Sequence, residues 1–114
     1  MSRVDRMLQR AQAVALTSTN RVKHGAVIAH GNRVLAVGVN ARRVDPTQCS
    51  DPARESDFHA EVAAIRSLRT GTEPANLTMY VARVGHDGGT RLSKPCPECA
   101  QAIKDFGIRR VLWT

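Results

Sequence analysis

A chain of 114 residues, 42% hydrophobic and 24% charged, has the size and balance of one folded domain spanning residues 1–114, not of a disordered segment. Its formal charge of +7 favours phosphate-bearing partners, yet the 17 basic residues are scattered and form no run of like charges. That excludes a basic nucleic-acid-binding tail and leaves a solvated surface as an equal account of the charge. No segment nears the roughly 18 apolar residues of a membrane span, and Met1 to Leu16 mixes Arg and Asp among its apolar positions, unlike a secretory leader. Three cysteines make an odd number for a disulfide framework. The chain therefore reads as cytoplasmic, without a membrane partner, and with thiols kept reduced and free for metal.

Apolar residues at Val4, Met7, Leu8, Ala11, Val14 and Ala15 trace one face of a helix from Val4 to Leu16. Ala26 to Ala29 and Val34 to Val39 read as two strands, and Gly31-Asn32 between them predicts an antiparallel hairpin. Asn40 to Phe58, with Pro46 and Pro52, reads as a loop long enough to be functional or mobile. Ala60 to Leu68 is helical in pattern, with Gly71 beyond its end, and Leu77 to Val84 reads as a third strand. A glycine-rich loop from Gly85 to Lys94 precedes a helix over Pro97 to Phe106, closed by Gly107, and a last strand over Ile108 to Trp113. Strands alternating with helices in the second half predict a parallel pairing there. The fold class expected is α/β: a three-layer α/β/α domain around a mixed sheet of four to five strands. With only 4% aromatic residues, aliphatic side chains and alanine must fill its core.

Two short groups carry the chemistry: His59-Ala60-Glu61 and Pro95-Cys96-Pro97-Glu98-Cys99, each at the predicted start of a helix. Cys96 and Cys99 are three apart and share one helical face, and Pro97 suits the first helical position, where its missing N–H costs nothing. Thiolates at a helix start gain from its partial positive charge. His59 and Glu61 would diverge in mid-helix, but a metal lying beyond a helix end is approached from several directions. One imidazole and two thiolates make three zinc ligands, where structural sites take four and catalytic sites keep a place for water. Glu61 beside that water is suited to move its protons. Cys49 has no partner motif and reads as a free thiol; His24, His30 and His86 read as ordinary surface or hydrogen-bonding groups.

With H-x-E followed by P-C-x-x-C, the sequence resembles the zinc-dependent cytidine and deoxycytidylate deaminase superfamily, for which that pair is a known signature. Gly25-Ala26-Val27-Ile28, Gly38-Val39-Asn40 and Gly107-Ile108-Arg109-Arg110-Val111 are similar to the family as well, so the likeness covers most of the chain from Gly25 onward. The resemblance implies a Zn²⁺ cofactor on His59, Cys96 and Cys99, Glu61 as the catalytic proton carrier, and substrate contacts from Asn40 and the Ala60 N–H. Arg42 and Arg43 lie just after Asn40, which suits them to a substrate phosphate. Relatives commonly continue with a further helix and strand beyond the position of Thr114, so an uncovered sheet edge and a homo-oligomer are expected here.

The reaction implied is hydrolytic deamination of a nucleobase, foremost cytosine in a free nucleoside or nucleotide (cytidine, deoxycytidine or dCMP), giving the uracil product and ammonia. The charge motivates an alternative partner, cytosine or adenine in single-stranded DNA or RNA, against which the single Tyr and Trp offer few stacking platforms. A third alternative, from another class, is a zinc-binding interaction module without catalysis.

Overall fold

The computed structural model describes residues 2–18, 22–42, 57–69, 71–85 and 87–114. The chain opens with α1 (Arg3–Ala15), started by Ser2, whose hydroxyl accepts the Asp5 N–H. The strands β1 (Lys23–His30) and β2 (Arg33–Val39) follow as the antiparallel hairpin expected around Gly31-Asn32. The span from Asn40 to Phe58 is not all loop. Its two ends pair antiparallel as β3 (Ala41–Arg42) and β4 (Asp57–Phe58), and the residues between lie outside those described.

The second half begins with α2 (Ala60–Arg66), a short 3₁₀ turn at Pro74–Asn76 and β5 (Thr78–Val84). The stretch expected as a glycine-rich loop also contains a strand, β6 (Thr90–Arg91), which returns on the end of β5. A two-residue strand carries no hydrophobic alternation, so periodicity does not reveal it. The remaining elements are α3 (Pro97–Phe106), ended by Gly107 in the left-handed conformation, and β7 (Arg110–Trp113).

These elements build a five-stranded mixed sheet in the order β2-β1-β5, with β6 and β7 sharing the far edge of β5. β7 runs parallel to β5 from Thr78 to Val81, and β6 antiparallel to it at Arg83 and Val84. Because successive side chains alternate across a strand, the sheet sorts its residues into two cores. Ala26 and Ile28 of β1, with Met79 and Val81 of β5, pack under α2 and α3 together with Ala60, Ala64 and Ile103. Val27, Ala29, Tyr80 and Ala82 face the other way, onto Met7 and Ala11 of α1. The expected three layers and mixed sheet are therefore present.

Each helix layer approaches the sheet over a glycine. A Cβ on Gly25 would lie 2.4 Å from the Ala11 carbonyl oxygen and the Ala15 nitrogen of α1. One on Gly38 would lie 2.4 Å from the Ala60 carbonyl oxygen and the Ala64 nitrogen of α2. The alanines facing both glycines let backbone meet backbone, which is how a core poor in aromatic residues becomes tight.

Candidate metal centre

Two helix starts meet above one end of the sheet. His59 is the N-cap of α2, with extended backbone (φ −75°, ψ 138°), and its carbonyl accepts the Ala63 N–H at 3.0 Å. Cys96 is the N-cap of α3 (φ −66°, ψ 163°), its carbonyl accepts the Ala100 N–H at 2.8 Å, and Pro97 occupies the first turn. Neither side chain makes a capping bond, so imidazole and thiol are turned away from their own helices. Cys99, in the first turn of α3, completes the group.

The geometry is that of a ligand set. His59 Nδ1 lies 2.9 Å from Cys99 Sγ and 3.7 Å from Cys96 Sγ, and the three donor atoms all fall within 4.8 Å of one another. Ligands of one tetrahedral zinc, with bonds of about 2.0–2.1 Å to nitrogen and about 2.3 Å to sulfur, stand roughly 3.5 Å apart, a value these contacts bracket. Both short contacts end on Nδ1, so that nitrogen faces the centre. Among the described residues this is the one group of three or more metal-ligating side chains that converges. The donor set of one imidazole and two thiols fits zinc, and among the described residues no fourth donor joins it.

Glu61 lies two residues beyond His59, on the first turn of α2, and is only 6% exposed. Burial pushes its carboxyl above the ordinary 4.5, because removing a carboxylate from water disfavours its charge. Its own backbone N–H, the nearby His59 and a hydrogen bond with Cys99 pull the other way and leave the net direction upward. A buried carboxyl with a raised pKa beside a metal-ligand set is suited to hold and release a proton.

The other expected site residues divide. Ala60 is fully buried at the first position of α2, where its N–H belongs to the helix's unpaired set. Asn40 follows β2 and is buried. Its Oδ1 accepts the His24 N–H at 2.8 Å, and its Nδ2 donates to the Val22 carbonyl at 2.7 Å. The carboxamide thus clamps the start of β1, and one N–H and one lone pair remain for a ligand. Of Arg42 only the backbone is described, and Arg43, Cys49 and His86 lie outside the described residues. His24 and His30 sit at opposite ends of β1, roughly 20 Å apart at strand rise, so they do not share a metal.

Two positioning residues escape a reading of the sequence. Gly38 sets the height of α2 and hence of His59 and Glu61. Ser93 is buried in the segment leading to Cys96. Its hydroxyl donates to the Val81 carbonyl at 2.8 Å and accepts the Thr114 N–H at 3.0 Å, and its own N–H donates to the Thr114 carbonyl at 3.0 Å. These bonds tie the approach to the cysteines onto the sheet. A glycine in a strand signals close approach in principle, but nothing local tells a buried serine from a loop serine. A separate cleft of about 710 Å³, bordered by Pro74, Ile103, Lys104 and Trp113, contains none of His59, Glu61, Cys96 and Cys99.

Comparison with known proteins agrees with this site. The family described as the cytidine and deoxycytidylate deaminase zinc-binding region matches residues 1–114. The deoxycytidylate deaminase of Enterobacteria phage T2 is 28% identical over 99 residues, which is 82% of this chain and 47% of that protein. The chain thus spans about half the length of the curated relatives it matches. Among solved structures, the dCMP deaminase of cyanophage S-TIM5 in complex with dCMP and dUMP superposes with a TM-score of 0.68 at 19% identity, covering 96% of this chain and 78% of that one. Guanine deaminase from Bacillus subtilis gives 0.63 at 24% identity, covering 96% and 62%. At such identities the likeness is one of fold, and the fold evidently serves more than one base.

Proposed function

Since the chain belongs to the family of cytidine and deoxycytidylate deaminase zinc-binding regions, we propose that it catalyses hydrolytic deamination of cytosine in a free nucleoside or nucleotide, with dCMP foremost. The observation that carries the proposal is the meeting of His59 Nδ1 with the sulfurs of Cys96 and Cys99 beside a buried carboxyl, Glu61. The curated relatives' names, deoxycytidylate deaminase, support the choice of base and phosphate.

His59, Cys96 and Cys99 would hold the zinc, which when bound would acidify a water and so supply the nucleophile for the amine-bearing carbon. Glu61 takes a proton from the attacking water and delivers it to the ring nitrogen, then carries the second proton to the departing amine. Water and the cytosine base become the uracil base and ammonia, and the carboxyl ends as it began. Its burial matters because a carboxylate of ordinary pKa is a poor donor near neutrality. Asn40 and the Ala60 N–H orient the sugar and the base edge, and Arg42 and Arg43 meet the phosphate. These substrate contacts belong to the proposal.

The test is release of ammonia from cytidine, deoxycytidine, CMP and dCMP by the zinc-loaded protein. Turnover of at least one, lost in Glu61→Gln with zinc content retained, is expected. No turnover on any of them removes this reading, and an activity that survives Glu61→Gln unaltered removes the mechanism and favours a zinc-binding module. The +7 charge supports a second substrate class, a base in single-stranded nucleic acid. Tyr80 is buried, and Trp113 is the exposed large aromatic among the described residues, so stacking surface is scarce. Tight, salt-sensitive oligonucleotide binding would move the assignment there.

No helix among the described residues is long and apolar enough to cross a membrane. A cytoplasmic location and self-association complete the proposal. The second is motivated by β7, an edge strand carrying Trp113 at 41% exposure. Sedimentation showing a monomer alone at micromolar concentration would refute it.

A further inference from the structure

One row of side chains runs across the sheet beside the zinc site. Gly38, Ala26 and Val81 are in register on β2, β1 and β5, on the face beneath α2 and α3. Two residues further out on the same face, Asn40, His24, Arg83 and Arg91 form the next row. The Asn40 N–H donates to the His24 carbonyl, His24 pairs with Arg83, and Arg83 pairs with Arg91. Strand alternation places all four on the side of the sheet that carries His59, Glu61, Cys96 and Cys99, one row beyond the Gly38 that lies beneath Ala60.

This row is electrostatically odd. Two arginines stand directly opposite on neighbouring strands, an arrangement that like-charge repulsion disfavours. Arg91 is compensated: its guanidinium pairs with both carboxylate oxygens of Asp87, at 3.0 and 2.9 Å. Arg83 has no such partner among the described residues. Among the described residues no carboxylate pairs with it, and its Nε is buried without a hydrogen bond. A buried guanidinium N–H left unsatisfied is costly, and the cost is relieved when an anion arrives.

We infer that Arg83 is a specificity-determining residue that binds the terminal phosphate of a nucleotide substrate at the mouth of the zinc site, with the paired residues His24 and Asn40 beside it. The inference rests on the deaminase reading for the base and adds the contact that separates nucleotide from nucleoside. A planar guanidinium with a free Nε edge matches a phosphate monoester through two parallel N–H···O bonds. Arg83 stands on the central strand of the sheet, and a group on a rigid strand holds its ligand in a fixed position.

The experiment compares wild type, Arg83→Gln and Arg83→Lys, all zinc-loaded, on dCMP and deoxycytidine, and on a short single-stranded DNA bearing one cytosine. Charge-assisted bonds of this kind predict a fall of about 10–100-fold in kcat/KM for dCMP in Arg83→Gln, with deoxycytidine unchanged within about twofold. Arg83→Lys, which keeps the charge but loses the fork, should fall between. Calorimetric binding of dCMP and deoxycytidine to the same proteins in the Glu61→Gln background reads the contact without turnover. Equal wild-type affinity for the two ligands overturns the inference, as does an equal loss on both in Arg83→Gln, which marks a structural role. An Arg83 dependence confined to the oligonucleotide overturns the monoester assignment. Failure of wild type to deaminate any of the three, with dCMP still bound more tightly than deoxycytidine through Arg83, condemns the deaminase reading and spares this one.

Discussion

Adding one methyl group at Gly38 should damage the metal centre, while the same change at Gly25 should not. The two glycines are matched in geometry: each Cβ would fall 2.4 Å from a carbonyl oxygen and from a backbone nitrogen of the overlying helix, and 2.9 Å from a third backbone atom. Ordinary contact begins near 3.4 Å, so either helix must retreat by about 1 Å. Overpacking of this kind costs about 1–3 kcal/mol, and for a domain of this size each kcal/mol lowers Tm by roughly 4–8 °C. Gly25→Ala and Gly38→Ala should therefore melt lower by similar amounts. They differ in what the displaced helix carries. Under Gly38 it is α2, which brings His59 and Glu61 to the cysteines of α3, whereas α1 carries none of these groups. A shift of about 1 Å in one half of the ligand set should weaken zinc by roughly 10–100-fold and slow turnover by about 100-fold. Competition with a chromophoric chelator measures the first, and ammonia release at saturating zinc the second. Equal zinc loss in both variants, or a Gly38→Ala protein that binds zinc like wild type, would refute the claim that α2 height sets the site.

The remaining expectations concern the site and its supports. In the metal-free protein the raised Glu61 pKa means that the folded state holds the proton more tightly than the unfolded one. That stabilisation is full below about 4.5 and is lost as pH climbs from there through the folded value; Glu61→Gln should flatten this dependence in thermal melts from pH 4 to 8. Cys99→Ala should bring zinc content, measured by atomic absorption, well below one per chain, because two donors remain where three converged. Chelation of wild-type zinc should lower Tm in the same direction, since a ligand that binds only the folded state stabilises it. Ser93→Ala removes the hydroxyl's bonds to the Val81 carbonyl and the Thr114 N–H; because that N–H also donates to the same carbonyl at 3.1 Å, neither is left unpaired, and the cost should be about 0.5–1.5 kcal/mol in denaturant melts. An unchanged midpoint would show that those bonds are replaceable.

Much of the fold is readable without coordinates because periodicity is local. The hairpin around Gly31-Asn32, the helix from Pro97 to its stop at Gly107, and the parallel return of the last strand beside β5 all stand as expected. What escapes is what local pattern does not encode. β6 is two residues long, and β3 and β4 pair across a gap of fourteen residues (42 to 57), so neither shows an alternation. The chemistry divides in the same way. H-x-E and P-C-x-x-C identify the donors by type and spacing, but Arg83 reads as one more surface charge until register sets it opposite Arg91 and beside His24.

Residue type and spacing alone determined the helix starts, the ligand chemistry and the layered class, because capping, side-chain chemistry and hydrophobic period act over a few neighbours. Only tertiary structure decided that Nδ1 of His59 reaches two sulfurs about forty residues away, that Glu61 is buried, and that half of the Asn40 amide's bonding capacity is taken up at the start of β1. Those outcomes depend on how closely two helices settle onto a sheet. Here that distance is governed by glycines and alanines whose effect appears only when the backbones meet.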